Sequence, residues 1–112
     1  MKYVCLVYGE EEAIRGVDDR VCAAYGRELQ ERGEYLLGQP LMSVETATTV
    51  RVRRGEVSVT DGPFAETKEQ LAGFYLIEAR DLNEAIRIAS GIPPAQVGSI
   101  EIRPVRELDV EP

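Results

Sequence analysis

Carboxylates, a hydroxyl and one isolated aromatic crowd into the run Asp61-Gly62-Pro63-Phe64-Ala65-Glu66-Thr67-Lys68-Glu69, and the best candidates for chemistry lie there. Asp61 and Glu66 offer acceptors, Thr67 a hydroxyl, and Phe64 an apolar wall, a mix suited to a small-molecule cleft, with Tyr8 and Tyr75 as aromatic neighbours from flanking strands. A carboxylate beside an aromatic acts as a general base if burial raises its pKa. An Asp that opens a turn more often accepts backbone N–H bonds, which lower it. Asp61 is open to both roles. Phe64 also has two, a plug that ties the loop down or a wall of a binding site, and both predict that it is substantially buried.

The chain has no histidine. No imidazole is available as base, proton shuttle or metal ligand, so Ser-His-Asp, Cys-His and His-containing zinc sites are excluded. Cys5 and Cys22 lack Cys-x-x-Cys spacing and read as packing residues with reduced thiols rather than a disulfide. No cofactor and no metal are expected.

The run from Asp61 to Glu69, followed by Gly73-Phe74-Tyr75, resembles the signature of the YCII-related proteins, in the branch marked by its Asp-Gly-Pro-Phe motif. The resemblance extends from the opening strand, Lys2 to Tyr8, to Gly98-Ser99-Ile100-Glu101-Ile102-Arg103-Pro104. It implies an α+β, ferredoxin-like fold that pairs as a dimeric α/β barrel. It also implies a regulatory setting, because genes of this branch commonly lie beside those of extracytoplasmic-function sigma factors. Some members carry a His and an Asp proposed as a catalytic pair. The His belongs on or near the first helix, where this chain offers Val21, Cys22 and Tyr25, so the pair does not carry over and only Asp61 is transferred.

The elements that must position these residues follow from patterning. Tyr3 to Tyr8 is nearly continuous apolar, as in a central strand covered on both faces. Gly9 to Gly16 reads as a polar loop. Asp18 or Asp19 caps a helix with Val21, Cys22, Tyr25 and Leu29 at helical spacing, ended by Gly33. A strand runs from Glu34 to Gly38 and closes at Gln39-Pro40. From Thr48 the pattern alternates, Val50 and Val52 against Arg51 and Arg53, then Val57 and Val59 against Ser58 and Thr60, with Arg54-Gly55 as the turn. That is a hairpin with one wet face, and its arginines read as a solvated edge.

Leu71 to Ala79 gives the next strand. Asp81 and Glu84 approach a capping box for a second helix with Leu82, Ala85, Ile86 and Ala89 on its apolar face, and Gly91 ends it. Pro93 and Pro94 prevent its resumption, and Ile100 and Ile102 mark a last strand that Pro104 terminates. The order is two βαβ units with an inserted β-hairpin, a split βαβ architecture in one domain over residues 1–105 with a polar tail over 106–112. Two short helices cover one sheet face, so the other predicts a homodimer through sheet-on-sheet packing.

Twenty acidic against 13 basic residues give a net charge of −7, which repels a nucleic-acid backbone. The apolar N-terminal run is far too short to span a membrane and lacks a signal-peptide pattern, so the expected setting is cytoplasmic. Two functions stand: a non-enzymatic small-molecule-binding or regulatory module linked to a sigma factor, or a cofactor-independent isomerase or lyase acting on a small acidic or aromatic compound with Asp61 as base.

Overall fold

The computed structural model describes residues 1–110. In chain order it forms β1 (Lys2–Gly9), α1 (Glu11–Arg15), α2 (Asp19–Glu31), β2 (Tyr35–Pro40), β3 (Thr48–Arg53), β4 (Glu56–Asp61), β5 (Gln70–Glu78), α3 (Leu82–Ser90) and β6 (Ser99–Pro104), with single 3-10 turns at Val44–Thr46 and Pro93–Gln96. Four strands make one antiparallel sheet in the order β2-β5-β1-β6. β1 and β2 therefore run parallel with β5 between them, and β5 and β6 run parallel with β1 between them, the α+β arrangement of a split βαβ fold. Strands β3 and β4 form a separate two-stranded sheet.

The core lies on one face of the larger sheet. Tyr3, Cys5 and Val7 alternate inward along β1, and Ile77 stands opposite Tyr3. Helix α3 contributes Ala85, Ile88 and Ala89, with Ile92 one turn on, all buried. The predicted face of α3 is thus rotated: Leu82 and Ile86 are exposed, because two overlapping apolar stripes share Ala85 and Ala89, and the one that includes Ile88 and continues to Ile92 is the one buried. Helix α2 buries Leu29 fully and turns Cys22 and Tyr25 towards the sheet, whereas Val21, expected inside, is exposed.

The segment expected to be a loop after β1 contains α1. Its N–H of Ile14 donates to the Glu10 carbonyl, and its Glu11 carboxylate accepts from the Val44 N–H at 2.8 Å and the Ser43 hydroxyl at 2.9 Å. Asp18 caps α2 by accepting from the Arg20 N–H. Asp81 caps α3 by accepting from the Glu84 N–H, but Glu84 reaches back to the Arg80 N–H rather than to the cap residue.

Glu34 ties the elements together. Its N–H donates to the Leu29 carbonyl at the end of α2, and its carbonyl accepts from the Glu78 N–H of β5. Its buried carboxylate accepts from Arg32 at 2.9 Å and from Arg87 of α3 at 2.6 Å. A second tie joins the two long helices: the Tyr25 hydroxyl donates to the Ile88 carbonyl at 2.6 Å.

The molecule is a plate of 46 × 41 × 19 Å. Its radius of gyration of 15.8 Å exceeds the roughly 13 Å of a compact chain of this length. Among the described residues no helix is long and apolar enough to cross a membrane. Residues 105–110 carry no regular structure and are exposed, and the last two residues of the expected tail, 111–112, lie outside the described residues.

Burial alone would raise the Glu34 pKa, but hydrogen bonds from Arg32 and Arg87 outweigh it and hold the carboxyl below its ordinary 4.5. A depressed folded pKa gives stability that is fully present above the unfolded value and is lost as pH falls through the folded value. Urea unfolding should therefore show stability declining below about pH 4.5. Glu34→Gln should cost about 1–3 kcal/mol at pH 7 and flatten that decline.

Candidate functional site

The loop from Asp61 to Glu69 leaves the outer end of β4 and returns to β5. Asp61 is the last residue of β4, opposite Thr48. Gly62 follows at φ +110°, a backbone that a side chain would strain. Its N–H donates to the Ala47 carbonyl at 2.7 Å, and its carbonyl accepts from the Thr49 hydroxyl at 2.8 Å. The turn is therefore closed by residues preceding and opening β3. The Asp61 carboxylate is exposed and accepts no hydrogen bond among the described residues, which corrects the expectation that it serves as the turn's acceptor.

Phe64 is 80% exposed, against the expectation of a buried anchor. Its ring stands in the wall of an open hollow together with Tyr8 and Leu71. Thr67 uses its hydroxyl within the loop, donating to the Glu69 carbonyl at 2.6 Å, and its own carbonyl accepts from the Gln70 amide at 2.7 Å. Glu66 is exposed.

Two hollows flank the sheet. The first is an open trough of about 670 Å³ whose walls include Tyr8, Leu41, Met42, Val50, Phe64 and Leu71, with Thr67 at its edge. Glu11 fixes one wall by holding Ser43 and Val44. Asp61 and Glu66 do not line it. The second is a cavity of about 550 Å³ between α2 and the sheet, lined among others by Cys22, Gly26, Tyr35, Ala72 and Tyr75, with the exposed Asp19, Arg27 and Gln30 at its rim.

The structure thus brings Tyr8, Phe64 and Thr67 together and separates Tyr75 from them. Strand geometry is the reason: Tyr75 stands opposite Cys5 on the helix-covered face, whereas Tyr8 follows Val7 onto the other. Tyr75 packs edge-on against Tyr35, ring centroids 6.1 Å apart. The Tyr35 hydroxyl donates to the Gly38 carbonyl at 3.2 Å, while the Tyr75 hydroxyl has no hydrogen-bonding partner among the described residues.

Charge is scarce inside that cavity. Burial pushes the Tyr75 phenol up to about 12, so it stays a neutral donor. Burial, with Asp19 and Asp18 nearby, raises the Cys22 thiol. Burial pushes Cys5 up to about 11, and both cysteines are free. The arrangement can hold an uncharged molecule and donate one hydrogen bond to it.

Gly26 is the residue that sequence reasoning missed. It sits inside α2, where glycine is about 1 kcal/mol less favourable than alanine. A methyl group there would meet nothing nearer than Tyr35 Cε2 at 3.9 Å, an ordinary contact. Packing does not demand the glycine. Its effect is to leave one wall of the cavity flat, and a glycine within a helical pattern is a signal that the sequence already carried.

Comparison with known proteins gives a match to the YCII-related domain over residues 1–109. The chain is also 40% identical over 114 residues to an uncharacterised protein of Rhizobium meliloti (strain 1021), covering 94% of this chain and 92% of that one.

The loop geometry sets two contrasting outcomes for urea unfolding. Phe64→Ala should change stability by less than about 0.5 kcal/mol, because little of the ring is buried. Gly62→Ala should cost about 1–3 kcal/mol, because it forces a side chain onto the positive φ.

Proposed function

The chain belongs to the YCII-related domain family, and on that footing we propose that it is a small-molecule-binding module whose ligand lies in the cavity beneath α2. Gly26 carries the proposal: a helix-interior glycine with room for a methyl group keeps open a space that alanine would narrow while stabilising the helix. The volume of about 550 Å³ falls within the range of small-molecule pockets, about 300–1,000 Å³. The ligand class follows from the lining. It is small, uncharged and mostly apolar, with one acceptor oxygen or nitrogen for the Tyr75 hydroxyl.

The regulatory setting implied by the family resemblance, beside extracytoplasmic-function sigma factors, makes such a ligand a signal rather than a substrate. The alternative, an isomerase or lyase with Asp61 as base, draws no support from a carboxylate that is exposed and lines neither hollow.

A thermal-shift screen of neutral metabolites tests the proposal. Ligands that raise the melting temperature of the wild type should lose the effect in Gly26→Leu, whose side chain enters the cavity, and bind more weakly to Tyr75→Phe. Gly26→Ala should itself gain about 0.5–1 kcal/mol. Hits that bind Gly26→Leu as tightly as the wild type would place the ligand elsewhere and overturn the reading.

A further inference from the structure

The trough is the larger of the two hollows, and the ligand placed beneath α2 leaves it unused. Its walls come from the connection after β2, the start of β3 and the 61–69 loop with the opening of β5, and Tyr8 of β1 adds to them. Each stretch is fastened by its own hydrogen bonds. Glu11 holds Ser43 and Val44, Gly62 is held by Ala47 and Thr49, and Thr67 by Glu69 and Gln70. Walls fixed in this way keep their shape without an occupant, as a largely preformed site requires. Four of the large apolar side chains that the chain leaves in water stand in them: Leu41, Met42, Val50 and Phe64. Met42, at 80%, is as exposed as Phe64. Exposed apolar residues mean little when scattered singly, but a cluster around one hollow marks an interaction site.

Three properties of the lining set the class of occupant. None of the residues is charged, although 29% of the chain is. A charged ligand would give up hydration there and find no countercharge, so the occupant is neutral. Tyr8 and Phe64 offer rings and Met42 a thioether, groups that gain specifically from contact with another aromatic ring. The polar atoms, finally, are mostly acceptors. The hydroxyls of Ser43, Thr46, Thr49 and Thr67 each donate to a carboxylate or carbonyl of the protein, which leaves their oxygen lone pairs for a ligand. The Gln70 amide nitrogen likewise donates to the Thr67 carbonyl. Of the hydroxyls that line the trough, only those of Tyr8 and Thr48 have no partner among the described residues.

We propose that the trough is a second binding site, for a neutral aromatic ring that carries its own N–H or O–H donor. The ring lies against Phe64 and Met42, and the donor turns to the hydroxyl oxygens of the walls. The chemistry is the converse of that beneath α2, where Tyr75 supplies the donor and the ligand the acceptor. The 61–69 loop then has a binding role without its carboxylates: it presents Phe64, while Asp61 and Glu66 stay in water outside the trough. The inference goes beyond the reading of the α2 cavity and does not rest on it.

Indole is the probe, a neutral ring with one N–H donor and no acceptor atom for Tyr75. The chain contains no tryptophan, so indole fluorescence excited beyond the tyrosine band reports binding directly. Indole should bind the wild-type chain saturably at millimolar concentration or below. Phe64→Ala and Met42→Ala each remove an exposed side chain, and each should weaken binding about tenfold. N-methylindole, which lacks the donor, should bind about tenfold more weakly than indole, and neither the indoleacetate anion nor the tryptamine cation should bind as well as indole. Gly26→Leu should leave the affinity for indole unchanged. In the wild type, indole should shift the amide resonances of Met42, Phe64 and Thr67 and leave those of Cys22 and Gly26 in place. No saturable binding of indole, full affinity in both alanine variants, or N-methylindole or an ionic analogue bound as tightly as indole would each overturn the proposal. Loss of indole binding in Gly26→Leu, or amide shifts confined to α2, would overturn it equally.

Discussion

Two long helices cannot cover both faces of a four-stranded sheet, and nearly every feature of this molecule follows from that shortage. Both helices pack on the face that carries Tyr3, Cys5, Val7 and Ile77, so every fully buried side chain lies on that side of the sheet or in the helices above it. The other face keeps its apolar residues only partly shielded. A plate 19 Å thick is what two layers make, and two layers leave one sheet surface facing water.

Within the covered half, packing is uneven, and electrostatics holds the uneven part in place. Helix α2 is anchored at its C-terminal end, where Leu29 is fully buried and Glu34 accepts from Arg32 and Arg87. The Tyr25 hydroxyl on the Ile88 carbonyl adds a tie in the same half. The cavity runs along most of α2, from Asp19 to Gln30, with Cys22 and Gly26 in its lining. A helix held through side chains beside the cavity can leave space beneath it without losing its position, which makes the Glu34 cluster a condition for the cavity as well as for the fold.

Elements whose apolar residues follow a local period were legible in the sequence. The strict alternation of Val50, Val52, Val57 and Val59 and the Arg54-Gly55 turn gave the hairpin its place, and Asp18 and Asp81 marked the helix starts. What alternation cannot reveal is whether a face is covered: only the arginine face was expected to be wet, yet the valine face opposite it is exposed as well, and Phe64 looked like a plug. The Glu34 cluster was illegible for another reason: Arg87 lies 53 positions away, and nothing local to Glu34 announces it. The site was half legible. Tyr8, Phe64 and Thr67 do meet, but Tyr75 pairs with Cys5, three positions from Tyr8 along β1, and strand alternation sets it on the opposite face.

That parity gives β5 its place between the ligand proposed beneath α2 and the second copy that a homodimer would set against the bare face. Tyr75 looks into the cavity beneath α2, while its neighbours Phe74 and Leu76 look out onto the bare face. A ligand and a second copy would bear on one strand from opposite sides, three consecutive residues carrying both contacts. Strands in packed sheets shift as units rather than residue by residue, because the interior is dense and has little slack. Any preference of the dimer for an occupied cavity is then returned by the ligand as an equal preference for the dimer, since binding free energies are reciprocally linked. Were both contacts made, the strand that the covered and uncovered faces share would itself be the relay between them.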